Sequence, residues 1–139
     1  MTLNFMLIDD NKIDLFINQK IIEKEAAQSS IKSFSSGSSA LNYLKEFEQS
    51  NSITNLNKPD VILLDINMPE MDGFQFLLKY NMLKIKNKSS IKIYMVSSSV
   101  NFNDVERVEN NKNCAGFISK PLTKETIKNV LEQFQVYEK

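Results

Sequence analysis

Residues 61–74 read VILLDINMPEMDGF, and this stretch decides the fold and the candidate site. Four apolar residues, Val61–Leu64, lead directly into Asp65, and Pro69 and Gly73 then break the chain into a loop. A run this apolar, bounded by turn residues, is typical of a strand buried on both faces of a parallel sheet. Open α/β sheets place their ligands at the carboxyl ends of such strands. We therefore expect Asp65 to be a carboxylate held on a rigid strand at the mouth of a site.

Strand and helix signals alternate on both sides of this stretch. Five apolar runs predict strands: Leu3–Ile8, Ser30–Phe34, Val61–Leu64, Ile91–Val96 and Gly116–Ser119. A helix signal follows each run: Ile13-Phe16-Ile17-Ile21, Leu41-Leu44-Phe47, Phe74-Leu77-Leu78, the short polar segment 103–110, and Ile127-Val130-Leu131-Phe134. The third and fifth of these apolar stripes are expected to face the core. Five such units imply an α/β fold, a parallel sheet with helices on both faces.

Composition narrows the function classes. The chain has 139 residues, with 17 Lys plus Arg and 17 Asp plus Glu, so its net charge is zero. A nucleic-acid-binding domain is normally strongly basic, so direct nucleic-acid binding is not expected. The chain has no histidine, which excludes histidine acid–base chemistry, and its single cysteine, Cys114, allows no intrachain disulfide. The low cysteine content favours a reducing compartment, the cytoplasm.

The length suits one domain spanning residues 1–139. The last helix signal runs to the end of the chain, so no output domain is expected. No run approaches 18 apolar residues, and the N-terminus lacks the pattern of a signal peptide. Contact with a membrane is therefore not expected.

Polar groups follow four of the five predicted strands at the point where each strand ends. They are Asp9 and Asp10 after the first strand, Asp65 after the third, Ser97 after the fourth and Lys120 after the fifth. In a parallel sheet these ends share one edge, so three carboxylates, a hydroxyl and an ammonium should converge. The carboxylates repel one another, and a divalent cation would offset their charge. Oxygen ligands without His or Cys favour Mg²⁺, with Mn²⁺ or Ca²⁺ less favoured. A carboxylate nucleophile beside a metal, a hydroxyl and a lysine suits phosphoryl transfer.

This combination resembles the receiver domain of response regulators, the phosphoacceptor module of two-component signalling. The resemblance rests on the pair Asp9-Asp10, on Asp65 within LLDINMPEMDG, on Ser97 within YMVS and on Lys120-Pro121. The motifs come in the order of the family, and the match covers essentially the whole chain. It implies a flavodoxin-like (βα)5 doubly wound sandwich with a five-stranded parallel sheet in the order 2-1-3-4-5.

The resemblance also implies a metal site. Asp65 would be phosphorylated to an aspartyl phosphate. Asp10 would bind Mg²⁺ directly, with Asp9 supporting it through water. The Asp65 carboxylate and the backbone carbonyl of Asn67 would be the other protein ligands.

A second group of residues would sense the phosphoryl group. By the resemblance, Lys120 would pair with the phosphate, and the Ser97 hydroxyl would move onto a phosphoryl oxygen. Phe117 occupies the aromatic switch position and would turn inward with Ser97. Members of this pattern often hold the Lys-Pro bond cis, which makes Lys120-Pro121 a candidate.

The function implied is that of a stand-alone response regulator. A sensor histidine kinase or a histidine phosphotransfer protein would be the donor, and the chain would catalyse only its own phosphorylation and dephosphorylation. The output would be the binding of a downstream protein, or a homodimer, through the face formed by the fourth helix, fifth strand and fifth helix near Phe117. One departure is that the chain between Asp10 and Asp65 is long, with the extra residues expected in the polar loop Gln49–Lys58.

Other functions compete with this interpretation. The chain could be a receiver-fold binding module that is not phosphorylated. A haloacid-dehalogenase-type phosphatase also uses an Asp nucleophile and Mg²⁺, but its D-x-D motif ends the first strand. Here the first strand ends in adjacent acids, Asp9-Asp10, and the candidate nucleophile is on the third. A flavodoxin-like cofactor binder is disfavoured because the three glycines form no phosphate-binding loop.

Overall fold

The computed structural model describes residues 2–48, 57–99 and 101–135. Strands and helices alternate along the chain, as the sequence predicts. The strands and α-helices are β1 (Asn4–Ile8), α1 (Lys12–Glu25), β2 (Ser30–Phe34), α2 (Gly37–Lys45), β3 (Val61–Asp65), α3 (Gly73–Asn81), β4 (Lys92–Ser97), α4 (Phe102–Glu109), β5 (Cys114–Ser119) and α5 (Lys124–Gln135). Short 3₁₀ helices cover Glu46–Glu48 and Lys88–Ser90. Most of the polar loop predicted at Gln49–Lys58 lies outside the described residues.

The five strands form one parallel sheet in the order β2-β1-β3-β4-β5, which confirms the predicted fold. The central strand β3 is buried at every position, because helices cover both faces of the sheet. Its side chains alternate between the two resulting cores: Val61 and Leu63 face one, Ile62 and Leu64 the other. This packing explains why the sequence of β3 is continuously apolar rather than alternating.

The two cores lie on opposite faces of the sheet. On one face, α1 contributes Leu15 and Ile22, and α5 contributes Ile127 and Val130. On the other face lie α2, α3 and α4, whose buried side chains include Leu44, Phe76 and Val108. The stripe predicted for α5 is therefore confirmed as a core-facing stripe. None of the described helices is both long and apolar enough to cross a bilayer.

Helix α1 is apolar on two faces. The spacing of Ile13, Phe16 and Ile17 locates the helix correctly, yet these side chains are 72%, 62% and 41% exposed. The buried residues of α1 are Leu15, Asn18 and Ile22. Because both faces carry apolar residues, helical spacing alone could not distinguish the core face from the solvent face.

Helix α3 begins where the loop after β3 ends. Asp72 caps it by accepting a hydrogen bond from the Gln75 backbone amide at 2.8 Å, and Gln75 Oε1 accepts one from the Asp72 amide at 2.9 Å. Phe74 and Leu77 are buried, as predicted. The expectation that Leu78 also faces the core is wrong, since its side chain is 68% exposed. The stripe on this nine-residue helix is narrower than its sequence suggests.

Candidate functional site

Three carboxylates meet at the carboxyl edge of the sheet. Asp65 is the last residue of β3, and Asp9 and Asp10 directly follow β1, the strand that pairs with β3. One oxygen from each of the three lies within 4.8 Å of the others. Asp9 and Asp65 are buried, whereas Asp10 is exposed. The structure therefore brings together the acids that the sequence predicted to converge.

Lys120, the first residue after β5, supplies the positive charge of this site. Its Nζ donates to Asp9 Oδ2 at 2.8 Å and to Asp14 Oδ2 at 3.0 Å. It lies 3.6 Å from Asp65 Oδ2, an ion-pair distance. The peptide bond between Lys120 and Pro121 is cis, as the resemblance implies. The sequence predicted the convergence of Lys120 with Asp9 and Asp65, but not the contact with Asp14.

Burial and the neighbouring charge of Asp9 raise the pKa of Asp65. Burial is the largest cause, the neighbouring charge of Asp9 adds to it, and the pKa of Asp65 reaches about 7. The Lys120 ammonium and the hydrogen bond from the Asn67 amide oppose this rise. For Lys120, burial lowers the pKa, but its bonds to Asp9 and Asp14 and the charge of Asp65 outweigh burial and raise it. Near pH 7, the metal-free site thus favours a charged Lys120 and a partly protonated Asp65.

The loop between β1 and α1 is fixed by its own side chains. The Asn11 amide donates to Asp9 Oδ1 at 2.9 Å. Asn11 Oδ1 caps α1 by accepting from the amides of Ile13 at 3.0 Å and Asp14 at 3.1 Å. The sequence Asp9-Asp10-Asn11 therefore orients one buried carboxylate and starts the helix that carries Asp14.

The loop between β3 and α3 holds Asp65 from the other side. The Asn67 amide donates to Asp65 Oδ1 at 3.2 Å, and the Gly73 amide donates to the Ile66 carbonyl at 2.8 Å. A β-carbon at Gly73 would lie 2.9 Å from the Asp65 carbonyl oxygen and 3.0 Å from Ile66 Cα. The chain can close this tightly behind Asp65 only because position 73 has no side chain.

Ser97, at the end of β4, is completely buried. Its hydroxyl accepts from Asn67 Nδ2 at 3.2 Å and donates to the Ser99 carbonyl at 3.1 Å. The Lys120 amide donates to the Ser97 carbonyl at 2.8 Å. Ser97 therefore joins the loop beside Asp65 to the end of β5.

Phe117, on β5, is half-buried and packs against the core that contains α3 and α4. It also lines a groove of about 530 Å³ between β5 and α5, which Lys120 and Val130 line as well. The lining of the groove thus includes Lys120 of the candidate site and Phe117 of the predicted output face.

The three carboxylates fit a hard divalent cation. They offer oxygen ligands only, with neither His nor Cys among them, and such a donor set suits Mg²⁺. Asp10, the exposed acid, gives the cluster an open side toward solvent. Ligation by the backbone carbonyl of Asn67 stays a prediction.

Comparisons with known proteins agree with this geometry. The chain matches the family model of the response regulator receiver domain over residues 5–132. A response regulator receiver protein from Dyadobacter fermentans is 30% identical, with a TM-score of 0.79 and coverage of 96% of this chain and 97% of that one. A two-component response regulator from Cytophaga hutchinsonii is 27% identical, with a TM-score of 0.84 and the same coverage.

A shorter match comes from a plant protein. A two-component response regulator of Arabidopsis thaliana is 32% identical over 92 residues, which are 65% of this chain and 56% of that protein. The family model, this relative and the two structures together show that the chain belongs to the family of response regulator receiver domains. Domains of this family work with histidine kinases in two-component systems.

Asp14 is the site residue that sequence reasoning missed. An acid in the first turn of a helix is normally explained by the helix dipole, so it did not stand out. The available signal was its spacing, since Asp14 lies within one helical turn of the N-cap Asn11, which itself directly follows the acidic pair.

Proposed function

We propose that this chain accepts a phosphoryl group on Asp65 from a partner protein, a sensor histidine kinase or a histidine phosphotransfer protein. The observation that carries the proposal is the cluster of Asp9, Asp10 and Asp65 with the Lys120 ammonium beside it. In the transfer, an Asp65 carboxylate oxygen forms a bond to phosphorus as the donor's phosphorus–nitrogen bond breaks. The electron pair of that bond stays on the imidazole nitrogen. In dephosphorylation, a water oxygen bonds to phosphorus as the bond to the Asp65 oxygen breaks, which releases inorganic phosphate and restores the carboxylate.

Each group around Asp65 has a role in this proposal. Asp9, Asp10 and Asp65, with the Asn67 carbonyl, would hold Mg²⁺ or, in its place, Mn²⁺. When bound, the cation would offset the carboxylate charge and that of the phosphoryl oxygens. Lys120 would pair with the phosphoryl group, because its ammonium already lies 3.6 Å from Asp65 Oδ2. The chain would catalyse only its own phosphorylation and dephosphorylation.

The same proposal includes a switch. Before phosphorylation, the Ser97 hydroxyl bonds to Asn67 and Ser99. A phosphoryl oxygen on Asp65 would compete for this hydroxyl, and Phe117 would turn inward as Ser97 moves. Because Phe117 lines the groove between β5 and α5, this movement would reshape the surface that a downstream protein, or a second copy of the chain, would bind.

Labelling with a small phosphodonor tests the proposal directly. Acetyl phosphate with Mg²⁺ should add about 80 Da, the mass of a phosphoryl group, to a peptide containing Asp65. EDTA should prevent the addition, and Asp65→Asn should abolish it. Asp104→Asn, at a carboxylate of α4 paired with Arg107, is the matched control and should label normally.

Absence of an adduct on the wild-type chain would instead favour a receiver-fold binding module that is not phosphorylated. Steady turnover of a phosphomonoester would favour the phosphatase alternative. Labelling that persists in Asp65→Asn would overturn the assignment of the acceptor.

A further inference from the structure

The Lys120 ammonium is bound by a carboxylate that belongs to none of the motifs above. Asp14 Oδ2 lies 3.0 Å from Lys120 Nζ, closer than Asp65 Oδ2 at 3.6 Å. The Lys120 side chain is 12% exposed and that of Asp14 is 34% exposed. This contact is therefore partly shielded from water, unlike the surface ion pairs of the chain.

We propose that Asp14 is a positioning residue that competes with the phosphoryl group on Asp65 for the Lys120 ammonium. The inference rests on the proposed function, since it assigns a regulator to the same site. Asp14 would set how strongly the site retains the phosphoryl group, without touching that group itself.

The position of Asp14 is fixed by a closed ring of hydrogen bonds. The Asn11 amide donates to Asp9 Oδ1, and Lys120 donates to Asp9 Oδ2. Lys120 also donates to Asp14 Oδ2, and the Asp14 amide donates back to Asn11 Oδ1. The cap of α1 therefore holds the backbone of Asp14 at the place from which its carboxylate reaches Lys120.

Competition follows from the number of protons on the ammonium. A lysine has three donors, and Asp9 and Asp14 accept hydrogen bonds from Lys120. Asp65 is left with a longer ion pair. A phosphoryl group on Asp65 would add oxygens that prefer charged donors. Lys120 would then have to shift from α1 toward β3, and the bond to Asp14 would oppose this shift.

A simpler role for Asp14 is to stabilise α1 as an acid in its first turn. Asp104 provides a matched comparison, because it is the third residue of α4 just as Asp14 is the third residue of α1. Asp104 pairs with Arg107 at 3.9 Å and has no contact with Lys120 among the described residues. Asp14→Asn and Asp104→Asn thus remove the same charge from the same helix position, once beside Lys120 and once elsewhere.

The test measures binding of beryllofluoride, a non-covalent phosphoryl mimic, in the presence of Mg²⁺. Asp14→Asn should bind it about fivefold more tightly than wild type, the effect of one lost competing hydrogen bond of about 1 kcal/mol. It should also lose the phosphoryl group from Asp65 more slowly after labelling with acetyl phosphate. Asp104→Asn should match wild type in both measurements, and equal effects of the two variants would overturn the inference.

A double-mutant cycle separates competition for Lys120 from the general effect of removing a negative charge. In a Lys120→Met background, Asp14→Asn should no longer change beryllofluoride affinity. A fivefold gain that persists without Lys120 would show that Asp14 acts through its own charge, and the positioning role would be rejected.

The two proposals fail in different ways. If wild type takes up the phosphoryl group and Asp14→Asn behaves identically, only the role of Asp14 is wrong. If wild type neither labels nor binds the mimic, the proposed function is wrong and the role of Asp14 falls with it.

Discussion

Gly73 lies directly behind Asp65, and a β-carbon at position 73 would stand 2.9 Å from the Asp65 carbonyl oxygen. None of the three glycines has a positive φ, so lack of space rather than backbone strain requires glycine here. Gly73→Ala should push α3 away from the end of β3 and lower the free energy of unfolding by about 1–3 kcal/mol, the usual cost of overpacking. Urea unfolding measures this loss, and the labelling rate of Asp65 should fall with it.

Gly116→Ala is the control for that prediction. A β-carbon at Gly116 would meet only the Tyr94 ring at 3.5 Å, an ordinary contact. We expect Gly116→Ala to leave stability within about 0.5 kcal/mol of wild type. Similar losses in the two variants would show that the packing behind Asp65 is not the cause.

Asp65→Asn should stabilise the metal-free protein at pH 8. At that pH the wild-type chain holds an ionised Asp65 that is buried beside Asp9, and the amide removes this charge at nearly constant volume. Lys120 retains its bonds to Asp9 and Asp14. The expected gain is about 1–3 kcal/mol, from the shift in the Asp65 pKa. Urea unfolding in EDTA measures it, and a loss of stability would mean that Lys120 depends on Asp65.

The binding of Mg²⁺ should weaken as the pH falls below about 7. The pKa of Asp65 is raised to about 7 in the folded chain, from an ordinary value of 3.8. Between pH 3.8 and about 7, Asp65 holds a proton in the folded state that it has released in the unfolded state. The contribution of Asp65 to the free energy of unfolding therefore falls as the pH rises toward 7. Mg²⁺ must displace the same proton. Calorimetry at pH 6 in two buffers should detect the released proton, and binding that is independent of pH would contradict the raised pKa.

Ser97→Ala should separate phosphorylation from switching. The variant loses the hydroxyl that Asn67 contacts at 3.2 Å but keeps every carboxylate of the site. We expect Asp65 still to be labelled, while the phosphorylation-dependent change at Phe117 is lost. The ring resonances of Phe117 report that change in NMR spectra. Resonances that shift as in wild type would remove Ser97 from the proposed switch.

Tyr80→Phe should raise stability. The Tyr80 ring is buried beneath Lys88, and its hydroxyl has no hydrogen-bond partner among the described residues. An unsatisfied buried hydroxyl is costly, and removing it should contribute about 1 kcal/mol. Thermal unfolding measures the gain, and a decrease would indicate that the hydroxyl bonds to water.

The sequence was sufficient to predict most of the site because strand ends are encoded locally. The apolar run before Asp65 and the turn residues after it are typical of a buried strand, and parallel topology then brings Asp9 and Lys120 to the same edge. The contact between Asp14 and Lys120 was not predictable in this way. It depends on how α1 and the β5–α5 loop pack together, which no local pattern specifies.

The exposed face of α1 was missed for a related reason. Ile13 and Phe16 have the spacing of core residues, and only the packed sheet shows that Leu15 occupies the core instead. The prediction that Leu78 on α3 faces the core was wrong for the same reason. Periodicity identifies a helix, but a helix with apolar residues on two faces needs its neighbours to decide which face is inside.

The ion pair between Asp9 and Lys120 joins residues 111 positions apart in the chain. During synthesis, the acids of β1 and β3 emerge well before the lysine that offsets their charge. A nascent chain that ends before β5 would carry Asp9, Asp10 and Asp65 without this cation, and like charges held together oppose compaction. The proposed phosphoryl-accepting centre therefore gains its cation only when the end of β5 has been synthesised.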